Sequence, residues 1–351
     1  MKIAIVEFNY SHIELLPSYY ELLHPRFHIA FFVNEKVPAD FTSDFSGVSF
    51  SIIKRTKIKL IDAYLLSRCL KKQGFTHCIL NTAEGKLPRA LCFFNSWHLI
   101  RNLGVIHNSE KMTTPGFTQA SILKHLKYKL VLSDFIKKNF PDPAVQVFYP
   151  SFQFFKVKRA EASNKKLIIS VIGNIEFKRR DYGLLVNLCQ KYKEELKNKI
   201  LIKIIGNSNA KEGPIMLEQI KEAGIEDFFQ CYNHRLSSEE LDYELINSDL
   251  ILPLITPDIK IFKDYLDYKI SGAYNLSYAS NIPMIIHDRF EAMDDFNHGN
   301  YFFSDLDDLF NLLINLFNNR QDIAVKSELV KKRTEFLKKR QIEIFDRILS
   351  K

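Results

Sequence analysis

Cysteine is scarce and scattered: Cys69, Cys78, Cys92, Cys189 and Cys231 are all that 351 residues hold, and no two form a C-x-x-C pair. An odd count at that spacing excludes a disulfide framework and a zinc knuckle, and it fits a reducing, cytosolic setting. Glycine and proline are sparse, twelve of each, which leaves no room for collagen-like repeats or long flexible linkers. No stretch reaches the ~18 uninterrupted apolar residues of a membrane span. The opening MKIAIVEFNY reads as a short strand followed by polar residues, not as a signal peptide. What is present is ordinary for a packed protein: 46% hydrophobic and 26% charged residues, which excludes disorder and coiled coil as the main class. At roughly 150 residues per domain the length suits two domains. The 29 Phe and 15 Tyr exceed the needs of a minimal core and imply a lined cleft or a contact surface. A net charge of +8 suits an anionic ligand or an anionic membrane surface. No aromatic-interleaved RNA signature or zinc-finger spacing points to nucleic acid.

Short apolar runs recur along the chain, at Ile3–Val6, Ile29–Val33, Val48–Ile53, Cys78–Leu80, Gly104–Ile106, Lys129–Leu132 and Val145–Tyr149. Helix-like stretches such as Ile61–Gln73 and Thr118–His125 lie between them. The pattern resumes with runs at Leu167–Ile172, Ile200–Ile205, Phe228–Cys231, Leu250–Leu254 and Met284–Ile286. The helices expected there are Tyr182–Leu196, Pro214–Ala223, Ser238–Ile246 and Ala273–Ser280. Buried strands alternating with helices predict parallel sheets covered on both faces. The fold class expected is α/β, two doubly wound Rossmann-like domains facing across a cleft. Residues 1–155 form the first domain, 156–164 a linker within the aperiodic Phe152–Asn164 stretch, 165–322 the second domain, and 323–351 a basic C-terminal helix. On that helix Val325, Leu329, Phe336 and Ile344 fall near one face.

In open α/β sheets ligands bind beyond the carboxyl ends of the strands, so the loops after each run carry the information. The strongest pattern is VIGNIEFKRRDY, 171–182. A buried strand ends at Gly173 and Asn174, three consecutive cations follow, and a helix begins. Fixed cations beside free helix N–H groups suit a diphosphate; the competing reading is a solvated basic turn. The second pattern is KISGAYN, 269–275, where Ser271-Gly272 opens a helix and lets a phosphate approach the backbone. Lys269 would add a point charge, unless this is an ordinary capped helix with an exposed lysine.

Five segments in order resemble the donor domain of nucleotide-sugar glycosyltransferases of the GT-B architecture. They are VIGNIEFKRRDY, LIKIIGN (201–207), SSEELDYELINSDLILPL (237–254), KISGAYNLSYASNIPMII (269–286) and FFSDLDDLFNLLINLF (302–317). LGVIHNSEK (103–111) and KYKLVLSDFIKKNF (127–140) extend the resemblance into the first half. The resemblance implies that Lys178 and Arg179 bind donor phosphate and that the Ser271 and Gly272 amides meet the diphosphate. It also implies that Asn233, His234 and Arg235 border the base, and that His107 faces the donor sugar or its phosphate. The family's E-x7-E element is missing: Leu276 stands at its later position, and Asn275 is the nearest polar substitute. The stereochemical outcome is therefore not inherited.

Candidate bases lie in the first half: His12 and Glu14 in NYSHIELLPS, and Glu84 in NTAEGK, beside His107. An inverting transfer needs such a group within reach of the acceptor hydroxyl, whereas a retaining one of this architecture has no such requirement. The competing readings are a loop histidine, a solvated acid and a helix-start acid. Asp294-Asp295 and Asp305–Asp308 superficially look like a D-x-D metal element, but the second precedes a helix, where acids favour the N-terminal dipole. The expectation is no cofactor and no metal, with a nucleotide-diphosphate sugar as donor. The acceptor is a glycan or lipid-linked glycan in cell-surface polysaccharide or lipopolysaccharide assembly, and the composition looks bacterial. The enzyme would be cytoplasmic, and the clusters Lys331–Arg333 and Lys338–Arg340 open a peripheral contact with an anionic membrane against a solubilising role. The rival readings are a nucleotide-sugar epimerase of the same architecture and a non-catalytic two-domain ligand-binding protein.

Overall fold

A computed structural model describes all residues except 10–11, 38–40, 42–44, 154, 156, 158–165 and 351. The linker expected at 156–164 therefore lies outside the described residues apart from Val157. The chain divides into two compact units. Unit one comprises Met1–Gln153, Asp267–Ile270 and Phe336–Lys351; unit two comprises Phe154–Leu266 and Ser271–Glu335.

Unit one is built on seven strands, β1 (Lys2–Glu7), β2 (His28–Asn34), β3 (Ser49–Ile53), β4 (His77–Leu80), β5 (Arg101–Val105), β6 (Leu126–Val131) and β7 (Val145–Val147). They lie in the order β3-β2-β1-β4-β5-β6-β7, and every adjacent pair is parallel. The central strands are apolar on both faces because helices cover both. On one face Ala63, Leu66 and Leu70 of helix Lys59–Lys72 and Leu87, Leu91 and Cys92 of helix Lys86–Trp97 pack on Ala4, Val6, Cys78 and Leu80. Elsewhere in the unit Tyr19 stacks on Phe148, and Phe345 from the last helix meets both rings edge-on.

Unit two holds β8 (Leu167–Ile172), β9 (Ile200–Asn207), β10 (Phe229–Tyr232) and β11 (Leu250–Ile251) in the parallel order β10-β9-β8-β11. A bridge from Ile251 to Met284 leads on to the parallel pair β12 (Ile285–His287) and β13 (Tyr301–Phe303). In both units the chain builds the sheet outward on one side of the first strand and then crosses to its other side. Such a reversal opens a crevice at the carboxyl ends, between β1 and β4 and between β8 and β11.

Helix starts follow the sequence closely where caps are explicit. Ser237 and Glu240 form a reciprocal capping box for Ser238–Ile246. Asp305 accepts from the amides of Asp307 and Asp308 at 3.0 and 2.9 Å to open Leu306–Asn318, so this acidic run serves the helix. Four expectations need correction. The helix expected over Tyr182–Leu196 breaks at Tyr192, whose ring stacks 3.7 Å from Phe310 and whose hydroxyl donates to Asp307. The run Leu250–Leu254 leaves the sheet after Ile251. Leu254 takes a left-handed φ of 56°, and its carbonyl accepts from the Asp181 amide.

The C-terminal helix starts at Arg320 rather than 323. Its buried face is only in part the one expected, since of the four residues only Ile344 is buried. Val325, Leu329 and Phe336 are exposed, and the buried residues recur every seven, at Ile323, Val330, Leu337 and Ile344. Phe345, Ile348 and Leu349 are buried beside Ile344 at the end of the helix. The short helices Leu16–Leu23 and Phe262–Asp267 and the long one Lys86–Trp97 were not singled out in the sequence.

Candidate active site

In unit one the polar groups gather where the strand order reverses. Glu7, the last residue of β1, is fully buried. One carboxylate oxygen accepts from Asn81 Nδ2 and Thr82 Oγ1, both at 2.7 Å, just beyond the end of β4; the other accepts from the Asn9 amide. Burial raises the Glu7 pKa, and the bonds from Thr82, Asn9 and Asn81 and the charge of His12 oppose it.

Asn81 also donates to the His12 carbonyl at 2.7 Å and so ties that loop to the sheet. The His12 ring lies on His107, which follows β5. His107 Nε2 is 2.8 Å from the Asn81 carbonyl, which can only accept, so Nε2 carries the proton. Burial, reinforced by the His12 charge, pushes the His107 pKa down to about 3, and this ring is neutral. His12 goes the other way. Burial lowers its pKa, but Glu14, whose Oε1 is 3.3 Å from Nδ1, together with Glu7 and Glu84 outweighs burial and leaves it raised. Glu84 pairs with Lys111, and its Oε1 is buried without a hydrogen-bond partner in the structure. Gly85 after it has φ 94° and ψ 177°, a region open to glycine alone, and turns the chain into helix Lys86–Trp97.

His12, Glu14, Glu84 and His107 thus form one cluster in unit one. Glu7, Asn81 and Thr82 were missed. Their signal was an acid and an amide directly at the ends of the two central strands. The arrangement offers one imidazole with raised basicity, held by a neutral one beneath it and by carboxylates around it.

In unit two the three consecutive cations divide their work. Arg180 is buried and donates to the Ile172 carbonyl at 2.6 Å and the Asn174 carbonyl at 3.0 Å, so it holds the loop from beneath. A Cβ at Gly173, where φ is 114°, would stand 2.5 Å from its Nη2. Lys178 and Arg179 are exposed above. Both face Glu176, at 3.8 and 4.0 Å, and Lys211 pairs with the same carboxylate. Burial raises the Glu176 pKa, but Lys211, Arg179 and Lys178 prevail and lower it. Arg179 also bonds to Tyr265. Asp181 caps the following helix by accepting from Leu184 N at 3.0 Å, and its other oxygen accepts from Thr256 Oγ1 at 2.7 Å.

Ser271 caps helix Gly272–Ser280 by accepting from Ala273 N, and Gly272 has open space where a Cβ would stand. Tyr274, one turn on, lies within electrostatic reach of Tyr265 and Arg180, which brings this helix start and the Gly173 loop into one neighbourhood. Asn275 is buried on the same helix. Asn233, His234 and Arg235 form an exposed loop after β10, where His234 reaches Glu240 at 3.4 Å. Lys269 belongs to the segment packed with unit one, where the neighbouring Tyr268 carbonyl accepts from Ser109 Oγ at 2.9 Å. Glu176, Lys211, Thr256 and Tyr265 were not anticipated, since they come from separate loops. Among the described residues no group of three or more His, Cys, Asp or Glu is placed to hold a metal ion, and no helix is long and apolar enough to cross a membrane.

Neither a family model nor a curated protein sequence matches the chain. Solved structures do. Anabaena Alr3699/HepE in complex with UDP-glucose matches with a TM-score of 0.70 at 10% identity, covering 98% of both chains. A glycosyltransferase from Rickettsia africae matches with a TM-score of 0.69 at 12% identity, covering 99% of this chain and 98% of its own. A putative UDP-N-acetylglucosamine 2-epimerase from Listeria monocytogenes matches with a TM-score of 0.62 at 10% identity, covering 93% and 91%. These likenesses, together with the two parallel sheets, show two Rossmann-like domains of the GT-B kind.

Proposed function

We propose that this protein is a glycosyltransferase that moves a sugar from a nucleotide-diphosphate sugar to an acceptor hydroxyl. The observation that carries the reading is the loop at the strand-order reversal of unit two. There Lys178, Arg179 and Lys211 converge on Glu176 beside the helix opened by Ser271, and Glu212 accepts from the Phe177 amide of the same loop. Lys178 and Arg179 are exposed on this loop and suit the negative charges of a nucleotide sugar's diphosphate. When the glycosidic bond breaks, the departing nucleotide gains a further negative charge. Fixed cations and helix amides stabilise that charge without reorganising.

His12 in unit one is the acceptor-side base in this reading. Its raised basicity suits taking a proton from a hydroxyl, and His107 and Glu14 hold the ring. The bound nucleotide in the HepE structure supports a uridine donor. A polysaccharide or lipopolysaccharide acceptor and a metal-free reaction complete the proposal. The Listeria neighbour supports the epimerase as a second reading.

A thermal-shift panel of UDP, GDP, CDP, ADP and TDP, without metal and then with magnesium, tests the donor. Saturation to about 100 times Kd stabilises by about 2.7 kcal/mol. A shift with UDP is expected, and no shift with any nucleotide would overturn the reading. Product analysis with the UDP-sugar alone separates the readings. A C2-epimerised sugar indicates the epimerase, and acceptor-dependent release of UDP indicates the transferase.

A further inference from the structure

Between Lys54 and Ser133 the sequence places fourteen Lys or Arg against three acids, Asp62, Glu84 and Glu110, so this segment alone exceeds the +8 of the whole chain. Asp62 is buried and accepts from the Thr56 amide, and Glu84 pairs with Lys111. The outer face of helix Lys59–Lys72 therefore carries no acid. Its entry and first two turns expose Ile58, Leu60, Ile61, Tyr64 and Leu65, and its last turns expose Arg68, Lys71 and Lys72.

The apolar surface continues onto helix Lys86–Trp97. Tyr64 meets Phe94 edge-on with centroids 5.4 Å apart, Phe94 meets Phe93 at 5.4 Å, and Phe94 and Trp97 are parallel at 6.5 Å. Trp97 is 70% exposed, Leu99 82% and Phe117 81%, and Arg89 lies over the Phe117 ring. Their helices already bury an opposite face in the core of the unit, so the packing of the unit does not require this outer surface. A contiguous exposed apolar patch of this kind marks an interaction site.

We propose that this face of unit one docks on an anionic lipid bilayer. Aromatic and aliphatic side chains enter the headgroup boundary, and the flanking lysines and arginines neutralise the leaflet. A second copy of the chain is a poor occupant, because a two-fold contact would set the same cations against each other. The aliphatic members Ile58, Leu60, Ile61, Leu65 and Leu99 offer bases nothing to stack on, which favours lipid over single-stranded nucleic acid. The C-terminal helix is not this surface. Its Arg333 pairs with Asp294, Lys338 with Glu21 and Arg340 with Asp134 inside the fold. The proposal stands apart from the nucleotide-sugar reading, since its test contains no donor.

Trp97 is the single tryptophan of the chain, so its fluorescence reports on the patch directly. The full-length protein is mixed with vesicles of phosphatidylcholine alone, or with an equal share of phosphatidylglycerol. With the anionic vesicles the protein cosediments, the emission moves to shorter wavelength, and lipids brominated in the acyl chains quench it. The R68Q/K71Q/K72Q variant, with unchanged thermal unfolding, binds on the order of 100-fold more weakly, the weight of three cations near an anionic leaflet. The L65S/F93S variant cosediments less and loses the spectral shift. Cosedimentation without quenching of Trp97, equal binding to phosphatidylcholine alone, or no binding to either vesicle would each overturn the proposal. So would a concentration-dependent spectral shift with dimer formation in sedimentation velocity, or binding of single-stranded RNA in place of vesicles.

Discussion

His12 lies face to face on His107, with ring centroids 3.8 Å apart and planes 19° from parallel. Two stacked imidazoles cannot both hold a proton cheaply, and the surroundings decide which one does. His107 spends Nε2–H on the Asn81 carbonyl and stays neutral, while His12 faces the carboxylates. The stack therefore makes His107 a neutral platform and His12 the ring whose proton affinity the surrounding carboxylates raise.

The first prediction concerns rate against pH. If deprotonated His12 is the base, activity rises with pH through the His12 pKa, which lies above the ordinary histidine value. Glu14 is the largest of the influences that raise it. Glu14→Gln should move the acidic limb of the kcat/KM profile to lower pH, while the nucleotide-induced thermal shift stays as in the wild type. An unmoved limb would remove Glu14 and His12 from this role.

Stability against pH follows from the same pair. The folded His107 pKa of about 3 lies below its unfolded value near 6.5. Between those values the unfolded chain binds more protons, so stability is present above pH 6.5 and is lost as pH falls. The slope is at most about 1.4 kcal/mol per pH unit for one proton. His77, held at about 4 by burial, acts in the same direction, while Glu7, with a raised pKa, opposes it. His107→Gln keeps a donor for Asn81 and removes the titration. Denaturant unfolding from pH 6.5 to 4 should show a shallower loss in this variant; an unchanged slope would mean that His107 is not held neutral.

The cations of the Gly173 loop make opposite predictions for adjacent residues. Lys178 is exposed and in the proposed reading meets the donor diphosphate, whereas Arg180 holds the Ile172 and Asn174 carbonyls from beneath. Lys178→Ala should leave the melting temperature unchanged and weaken nucleotide binding about 10-fold or more, the weight of one charge-assisted bond. Arg180→Met should lower the melting temperature, because the buried Ile172 carbonyl loses its donor at about 1–3 kcal/mol and the Asn174 carbonyl loses one too. Calorimetric titration with UDP beside thermal unfolding distinguishes the two. Equal loss of stability in both variants would place Lys178 in the scaffold.

How far the sequence carried this reading depended on range. The strand end at Gly173 and the helix start at Ser238 are written in consecutive residues, and they are legible. His12, Glu14, Glu84 and His107 were legible because each follows an apolar run, and the parallel topology brings those ends together. Glu7 was hidden as the last letter of KIAIVE, where nothing local says that Asn81 and Thr82 of another strand will bond it. Glu176 was hidden in the same way: its partner Lys211 comes from the loop after β9. The break at Tyr192 depended on a ring contributed by Phe310, more than a hundred residues away.

The C-terminal helix tests the same distinction. Two apolar stripes run along Arg320–Ser350, and hydrophobicity alone does not choose between them. The fold chose Ile323, Val330, Leu337 and Ile344, the set spaced by seven, and left Val325 exposed. Leu337→Ala should cost about 2–5 kcal/mol, since a buried leucine is removed from packed surroundings. Val325→Ser should stay within about 0.5 kcal/mol of the wild type. Denaturant titration measures both. Comparable losses would mean that the exposed stripe is covered in solution, which the fold of a single chain does not provide.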